Sequence, residues 1–293
     1  MGPLPTGPGT GPTGPGAAGP SKGSSLARAF READAEDVSS LSSCLRVLEG
    51  MSCTADYKAE LARRLSAASG DRVADVGCGL GFDVVRTGRR VGTRGLTLGV
   101  DSSTELLARA RALAPADMPQ VRYAVGDAHR LPLATGVLDA ARVDRALQHV
   151  RDPAQVVREL ARAVRAGGRV ACAEPDWETF TVTDDDRDTT RAVAHAWCAG
   201  FRHGWIGREL PALLGAAGVR DVRLTGHLLT ARGYAEIDAV FDLTGTVRGL
   251  LSGAGDDRER LEQWRQRVLH RDRAGTLMAT VTVFCASGRV RGP

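Results

Sequence analysis

Three alternating glycines constrain this chain more than any other feature. Residues Val73–Gly81 read Val-Ala-Asp-Val-Gly-Cys-Gly-Leu-Gly, an apolar strand pattern that carries one carboxylate, Asp75. A glycine inside a helix or strand costs about 1 kcal/mol relative to alanine, so the three predict a sharp turn against which a ligand can lie. The following residues, Phe82–Val91, are predicted to form a helix. We therefore expect the loop at a strand end and a helix N-terminus, where open parallel sheets bind ligands.

The spacing of these glycines distinguishes two classes of nucleotide cofactor. A dinucleotide loop needs Gly-x-Gly-x-x-Gly, but Phe82 stands at the third glycine position and the glycine has moved to residue 81. Asp75 would also repel a pyrophosphate and suits a ligand that carries a cationic group. The pattern Asp-x-Gly-x-Gly-x-Gly resembles the first motif of class I S-adenosylmethionine (SAM) methyltransferases, whose cofactor carries a sulfonium and an amino group. The resemblance implies that the carboxylate and the three glycines bind SAM: Asp75, Gly77, Gly79 and Gly81. A glycine-rich turn without a ligand is the structural alternative.

Composition fits a globular protein and gives little support to nucleic-acid binding. The chain has 293 residues, of which 43% are hydrophobic and 25% charged, as is ordinary for a globular protein. Its formal net charge is +4, and the arginines are scattered rather than clustered, so the sequence predicts no nucleic-acid partner. No apolar run approaches the ~18 residues of a membrane span, and no secretory signal is recognisable.

The six cysteines point away from metal sites. None forms a Cys-x-x-Cys pair, so neither a zinc ribbon nor a thioredoxin-type site is expected, and we predict no metal. Together with the missing secretory signal, this predicts free thiols in a reducing cytoplasm.

The chain is predicted to have three parts. Residues 1–25 form a Gly/Pro tail that cannot bury apolar surface and should be disordered. Residues 26–70 should form N-terminal helices, with Thr54 as a helix N-cap. In methyltransferases such helices cover the cofactor, although they could equally be packing helices. Residues 71–293 form the predicted methyltransferase domain, with lid insertions at about 176–205 and 233–273.

Strand and helix patterns alternate from Asp71 onward and predict the fold class. Because strands separated by helices imply right-handed crossovers, we expect a mostly parallel sheet covered on both faces. The resemblance implies a Rossmann-like class I methyltransferase sheet of seven strands, the last antiparallel. Leu277–Ala286 fits this last strand, which should lie at the sheet edge, and Arg169–Ala173 should be the fifth strand.

Two acidic positions follow the second and third predicted strands. Asp101 stands 20 residues after Gly81, with Ser102 beside it, and its two oxygens can accept hydrogen bonds from both ribose hydroxyls. Its structural alternative is the N-cap of the next helix, a role that Ser102 or Ser103 could also fill. The segment Gly-Asp-Ala at 126–128 resembles the third methyltransferase motif, which implies that Asp127 and Ala128 meet the adenine.

The fourth and fifth strand ends supply the candidate chemistry. Residues 138–153 resemble the fourth-strand motif of the small-molecule branch, which implies that Asp144 and Arg145 lie beside the cofactor. The resemblance also implies that His149, on a following short helix, lies near the methyl group, because similar O-methyltransferases use a histidine there as general base. A neutral imidazole can remove a hydroxyl proton near neutral pH, although His149 could instead only pack or orient. Glu174 ends the fifth strand and could orient His149 or contact the substrate, while a simple turn set by Pro175 is the alternative.

The functional prediction is a SAM-dependent methyltransferase of small molecules. Oxygen is the favoured acceptor atom, with carbon or nitrogen also open, and specialised metabolism is the expected setting. Trp177, Trp197 and Trp205 either line an apolar substrate pocket or pack a lid. An RNA methyltransferase is the first alternative, but the chain lacks an Asn/Asp-Pro-Pro-Tyr/Phe motif for a flipped base and an appended basic domain. A SAM-binding protein without transfer activity is the second. The pattern predicts no oligomeric state.

Overall fold

The computed structural model describes residues 39–292, which fold around one seven-stranded sheet. The predicted tail at 1–25 and the first part of the predicted N-terminal helices, 26–38, lie outside the described residues. The strands follow in chain order: β1 Arg72–Val76, β2 Leu96–Asp101, β3 Val121–Val125, β4 Leu138–Asp144, β5 Val164–Val182, β6 Val219–Arg232 and β7 Met278–Val290.

The sheet order is β3-β2-β1-β4-β5-β7-β6. β1 to β5 pair in parallel, whereas β7 runs antiparallel to both of its neighbours, β5 and β6. This arrangement confirms the predicted Rossmann-like class I methyltransferase sheet with an antiparallel last strand. The predicted edge position of that strand is wrong, because β6 lies outside it and forms the edge.

Helices connect and cover the strands. Within the described range they are α1 Ser39–Gly50, α2 Ser52–Leu65, α3 Phe82–Val91, α4 Thr104–Leu113, α5 Pro153–Ala163, α6 Arg187–Ala199, α7 Ile206–Ala216, α8 Tyr234–Phe241, α9 Leu243–Gly253 and α10 Arg258–Arg273. The predicted N-cap at Thr54 is wrong. Met51 holds that position with extended backbone, and Thr54 is buried inside the first turn of α2.

The fifth strand is longer than its local pattern predicts. The predicted fifth strand, Arg169–Ala173, continues to Val182, because residues beyond Ala173 pair with β7, Glu174 with Phe284 and Thr181 with Thr280. The first part of the predicted insertion 176–205 is thus strand, and its remainder carries α6. The second predicted insertion, 233–273, holds α8, α9 and α10.

The apolar core has two main parts. The first contains buried side chains from α1, α2, β5, β6, β7 and the helices α6 and α8–α10, among them Leu61, Trp197, Phe241 and Trp264. The second packs α5 and α7 against β1, β4 and β5, with Leu160 and Leu210 fully buried. The N-terminal helices and the helices of 187–273 therefore share one core, which encloses the carboxyl ends of the strands. No helix between residues 39 and 292 is both long and apolar enough to cross a bilayer.

Candidate functional site

The glycine loop after β1 requires glycine for geometric reasons. Gly77 has a φ of +70°, and a Cβ there would lie 2.5 Å from the Cβ of Ala146 on the turn after β4. Gly81, with a φ of +74°, would bring a Cβ within 2.5 Å of the Tyr123 hydroxyl. The backbone N–H of Gly77 donates to Val100 O at 2.8 Å, which fixes the loop against β2. The loop thus combines left-handed backbone with close approach, the combination that glycine alone accommodates without strain.

Asp101, at the end of β2, holds the glycine loop in place. Its Oδ2 accepts a hydrogen bond from Gly79 N at 2.8 Å, and its Oδ1 accepts one from Ser103 N at 3.0 Å. The N-cap of α4 is Ser103, whose hydroxyl accepts from Leu106 N, so the alternative that Asp101 caps this helix is wrong. Asp101 therefore lies at a strand end beside the cavity, with one oxygen bonded to the glycine loop and the other to the start of α4.

Asp127 follows β3 and is joined to a histidine that the sequence analysis missed. Its Oδ1 accepts from His129 N at 2.8 Å and lies 2.6 Å from His129 Nδ1. Hydrogen bonds from the His129 backbone hold the pKa of Asp127 below its ordinary value. His129 Nε2 accepts from Asp152 N at 3.1 Å, so Nδ1 carries the proton and donates to Asp127. The only sequence signal was the place of His129 within the segment Gly-Asp-Ala-His.

These strand ends surround one cavity of about 450 Å³. Nine of the twelve predicted site residues line it: Gly77, Gly79, Asp101, Ser102, Asp127, Ala128, Asp144, Arg145 and His149. Asp75, Gly81 and Glu174 are absent from its wall.

Asp75 lies beneath the loop rather than in the cavity. Its register partner on β4 is Arg142, and its Oδ1 is 3.4 Å from Arg142 Nε. Burial, with Asp83 and Asp144 nearby, raises the pKa of Asp75 to about 7 despite that arginine. The cation that Asp75 meets in the structure is Arg142, and its predicted contact with a cationic ligand stays a prediction.

Asp75 belongs to a buried charge network that the sequence analysis did not foresee. We use this name for Lys58, Asp75, Asp83, Arg142 and Asp144. Arg142 Nη2 lies 2.9 Å from Asp144 Oδ2 and 3.2 Å from Asp83 Oδ2. Lys58, from α2, forms an ion pair with Asp83 and lies 3.4 Å from Asp144 Oδ2. The network ties the N-terminal helix α2 to the floor of the cavity, because Asp144 lines that floor.

Tyr57 adds a further link between α2 and the cavity. It is fully buried, and its hydroxyl donates to Asp144 Oδ1 at 3.3 Å. Burial raises its pKa well above the ordinary value, so the phenol stays protonated and remains a donor.

Glu174 supports the turn that carries His149. It is fully buried at the end of β5, and its Oε1 accepts from Leu147 N at 2.6 Å. Burial raises its pKa to about 8, although the backbone N–H groups of residues 146–148 oppose that shift. The carboxyl of Glu174 contacts backbone rather than the cavity, which is consistent with the option that it orients His149, and its catalytic role stays a prediction. His149 lies in a turn with its N–H bonded to Ala146 O, not on the short helix that was predicted.

The far half of the cavity is apolar and aromatic. Four rings form what we call the aromatic wall: Trp177, Trp197, Phe201 and Phe241. Trp177 stacks on Phe201 with ring centroids 4.8 Å apart, and the His149 ring lies 5.7 Å from Phe201. Trp205, the third tryptophan predicted for this region, is 48% exposed and does not line the cavity.

Gln148 fixes the aromatic wall to the turn after β4. Its Oε1 accepts from Trp177 Nε1 at 2.6 Å, and its Nε2 donates to Arg145 O at 3.1 Å. The backbone O of Gln148 accepts from His203 N, so the connection between α6 and α7 is held at the same point. Gln148 thus sets the position of its neighbour His149 relative to the aromatic wall.

The cavity fits an adenosyl cofactor with a cationic sulfur. Gly77 and Gly79 present bare backbone along one side of the cavity, and carboxylates stand at the ends of β2 and β3 for hydroxyl and amino donors. Asp101 contributes a negative charge to this half, which suits a sulfonium. Among residues 39–292 no cluster of side chains could hold a metal ion.

Comparisons with known proteins agree with this geometry. A family model described as a methyltransferase domain matches residues 74–172. An uncharacterised 37.1 kDa protein in transposon TN4556 of Streptomyces fradiae is 33% identical over 258 residues, covering 88% of this chain and 72% of that protein. The demethylmenaquinone methyltransferase of Halalkalibacterium halodurans is 30% identical over 127 residues, covering 43% of this chain and 52% of that enzyme. This chain thus spans about half the length of that curated enzyme.

A solved structure extends the likeness to the whole fold. The YcgJ protein of Bacillus subtilis superposes with a TM-score of 0.55 at 19% identity, covering 82% of this chain and 100% of that protein. At this identity the likeness concerns the fold alone.

Proposed function

This chain belongs to the class I SAM-dependent methyltransferases, and on that premise we propose that it methylates a hydroxyl oxygen of a small, largely apolar molecule. The observation that carries the proposal is the division of one cavity into two halves. One half holds the glycine loop and its carboxylates, and the other is the aromatic wall. His149 lines the cavity and has its ring 5.7 Å from Phe201 of that wall.

The cofactor half is proposed to hold SAM through the strand ends. Asp101 would accept from the ribose hydroxyls, Asp127 and the N–H of Ala128 would meet the adenine, and Gly77 and Gly79 would lie against the ligand. When bound, SAM supplies a methyl group on a positively charged sulfur, which a nucleophile can attack. Since Asp101 also accepts from Gly79 N, the same carboxylate shapes the loop and receives the ligand.

In the acceptor half, His149 is proposed as the general base. The acceptor hydroxyl would donate its proton to the imidazole as its oxygen bonds to the methyl carbon, and the carbon–sulfur bond would break. A well-placed general base contributes about 10²- to 10⁴-fold to such a step. Glu174 would act as a positioning residue, since it holds the backbone of residues 146–148.

The aromatic wall is proposed to select the acceptor. Rings from β5, α6 and α8 present apolar surface. Arg202 and His149 also line that side of the cavity, and none of the described residues contributes a carboxylate to it. An apolar scaffold with a hydroxyl near His149 fits this lining better than a cationic amine would. This substrate class, with a role in specialised metabolism in the cytoplasm, completes the proposal and rests partly on family analogy. The six cysteines are free thiols, as a reducing compartment requires.

The test uses SAM with an isotopically labelled methyl group, the purified protein and a cell extract. After reaction the extract is separated into small molecules, protein and RNA. Label in the organic-soluble small molecules supports the proposal, and the carbon chemical shift of the transferred methyl identifies oxygen, nitrogen or carbon as the acceptor. An Asp101→Ala variant serves as the control that lacks the loop carboxylate.

Besides a methyl group found on nitrogen or carbon, two results would overturn the proposal. Label in RNA that is removed by ribonuclease would replace the small-molecule substrate by a nucleic acid. No transfer into any fraction, with SAM binding intact by calorimetry, would indicate a binding protein without transfer activity.

A further inference from the structure

Arg145 is held in an uncommon backbone conformation at the cavity. It follows β4 directly and has a φ of +56°, a value that non-glycine residues rarely adopt. Its N–H donates to Ala173 O at 2.8 Å, which ties the turn to β5. Strained positions of this kind persist where surrounding structure fixes them, and they cluster at ligand sites. The side chain of Arg145 therefore leaves the end of β4 from a fixed backbone and lines the cavity.

The guanidinium of Arg145 has little to bind within the protein. Its Nε lies 3.5 Å from Asp144 Oδ1 and forms no hydrogen bond, although the Nε atom is buried. None of residues 39–292 accepts a hydrogen bond from its other two nitrogens. Asp144 is already engaged by Arg142, Lys58 and the Tyr57 hydroxyl. A largely buried guanidinium is thus left with its donors available at the cavity.

The order of the strands indicates which part of a ligand Arg145 would meet. Asp127 follows β3, Asp101 ends β2, the glycine loop follows β1 and Arg145 follows β4, and these four strands are neighbours in that order. With strands about 4.8 Å apart, the four positions spread over about 14 Å of one sheet edge. A ligand with its adenine at β3 and its ribose at β2 would have its amino-acid end over β1 and β4.

We propose that the guanidinium of Arg145 binds the α-carboxylate of the methionyl part of SAM. This inference rests on the proposed function and names a ligand atom for one residue of that site. Arginine suits the role because its planar fork can donate two parallel hydrogen bonds to one carboxylate. The binding also explains why a buried cation is kept beside Asp144, which cannot satisfy all of its donors. A carboxylate on the acceptor has the same chemistry, so the test must separate the two sources.

The experiment measures binding, not turnover, with two ligands that differ in one group. Calorimetry is performed with S-adenosylhomocysteine and with its analogue in which hydrogen replaces the carboxylate. Wild-type protein is expected to bind the first about 10- to 100-fold more tightly, since hydrogen bonds between charged groups are of that strength. Arg145→Gln should lose this preference, so that the two ligands bind within about threefold of each other. Arg145→Lys should keep part of the preference, and Arg202→Gln, which removes another cavity arginine, should keep all of it.

Several results would overturn the assignment. A wild-type protein that binds both ligands equally shows that the carboxylate has no partner, and this result does not depend on any variant folding. If Arg145→Gln weakens both ligands by the same factor, the residue acts only on the structure of the turn. If the variant keeps the preference but raises KM for a carboxylate-bearing acceptor, the anion belongs to the acceptor. Failure of the wild type to bind either ligand would overturn the proposed function as well.

Discussion

Lys58 is the residue through which α2 reaches the buried charge network. Its side chain is only 9% exposed and faces Asp83 and Asp144, so its removal leaves two carboxylates with fewer partners in a low-dielectric site. Lys58→Met keeps most of the side-chain volume and should destabilise the protein by about 3 kcal/mol. Urea unfolding followed by circular dichroism measures this change. Arg63→Met on the same helix, at a position 64% exposed, should change stability by less than about 0.5 kcal/mol.

The proposed base gives a second prediction for a single side chain. His149→Asn should lower kcat by about 10²- to 10⁴-fold with a hydroxyl acceptor and leave SAM binding unchanged. The kinetics are measured with the acceptor identified from the labelled extract, and the binding by calorimetry. His195→Asn, at an exposed position on α6, is the matched control. A His149→Asn variant with nearly normal kcat would assign the histidine to packing instead.

Glu174 makes stability depend on pH in a direction opposite to that of an ordinary paired carboxylate. Burial raises its pKa from 4.5 to about 8, so the folded protein binds a proton that the unfolded chain releases. Stability should therefore fall as pH rises from about 4.5 to about 8. Glu174→Gln keeps an acceptor for Leu147 N without the charge and should reduce this slope, as unfolding in urea across that pH range would measure.

Asp75 should preserve part of the pH dependence of stability in the Glu174→Gln variant. Its pKa is raised by burial to about 7, which gives the same sign, so Glu174→Gln should retain part of the dependence. Glu105→Gln, at an exposed helical position, should leave the slope unchanged and serves as the control. A slope unaltered by Glu174→Gln would show that this carboxyl is ionised in the folded protein.

At the scale of elements, the loop after β1 packs against the turn after β4 so closely that no space is left between them. Gly77→Ala would place a methyl group 2.5 Å from Ala146 Cβ at a φ of +70°. We expect a loss of stability of about 2–4 kcal/mol from the clash and the strained backbone together, with weaker SAM binding. Adding Ala146→Gly should recover the steric part only. Thermal unfolding and calorimetry of the two single variants and the double variant measure this, and full additivity would contradict a direct contact.

The same elements show what the sequence could predict. The strand–helix alternation, the glycine loop and the strand-end positions of Asp101 and Asp127 were predicted from local pattern, because backbone conformation restricts residue type there. The length of β5 and the inner position of β7 could not be found that way. They depend on pairing between segments about 100 residues apart, such as Thr181 with Thr280, and strand preference is decided largely by such neighbours.

The contacts of individual side chains were harder to predict than the helices and strands. Asp75 was assigned to the ligand because nothing in the sequence shows that Arg142, two strand positions before Asp144, turns inward and meets it. Glu174 was assigned to chemistry because a carboxylate at a strand end has the same pattern whether it faces a cavity or a backbone turn. Gln148 and His129 lie next to predicted residues, and only the fold shows their partners Trp177 and Asp152.

At the scale of the whole molecule, one core joins the N-terminal helices to the helices after residue 186. Trp264 on α10 is fully buried, and its Nε1 donates to Thr190 on α6, yet it does not line the cavity. Trp264→Ala should lower stability by about 3–5 kcal/mol through the void it leaves, with SAM affinity unchanged well below Tm. Differential scanning calorimetry should still show one transition, since the core is shared.

A tryptophan outside this core provides the comparison. Trp205 is 48% exposed, and Trp205→Ala should shift Tm far less than Trp264→Ala does. Two separate transitions in the Trp264 variant would instead divide the helices of 187–273 from the sheet as an independent folding unit.

The two halves of the cavity come from different stretches of the chain. The proposed cofactor half is built largely by residues 76–146, within the segment that matches the methyltransferase family model, whereas the aromatic wall comes from residues 177–241. Under the proposed function, selection for a new acceptor can therefore act on the aromatic wall while the glycine loop and the strand-end carboxylates are retained. When α6 and α8 are exchanged between related chains, the acceptor preference should change with them, provided that the Gln148–Trp177 hydrogen bond is kept.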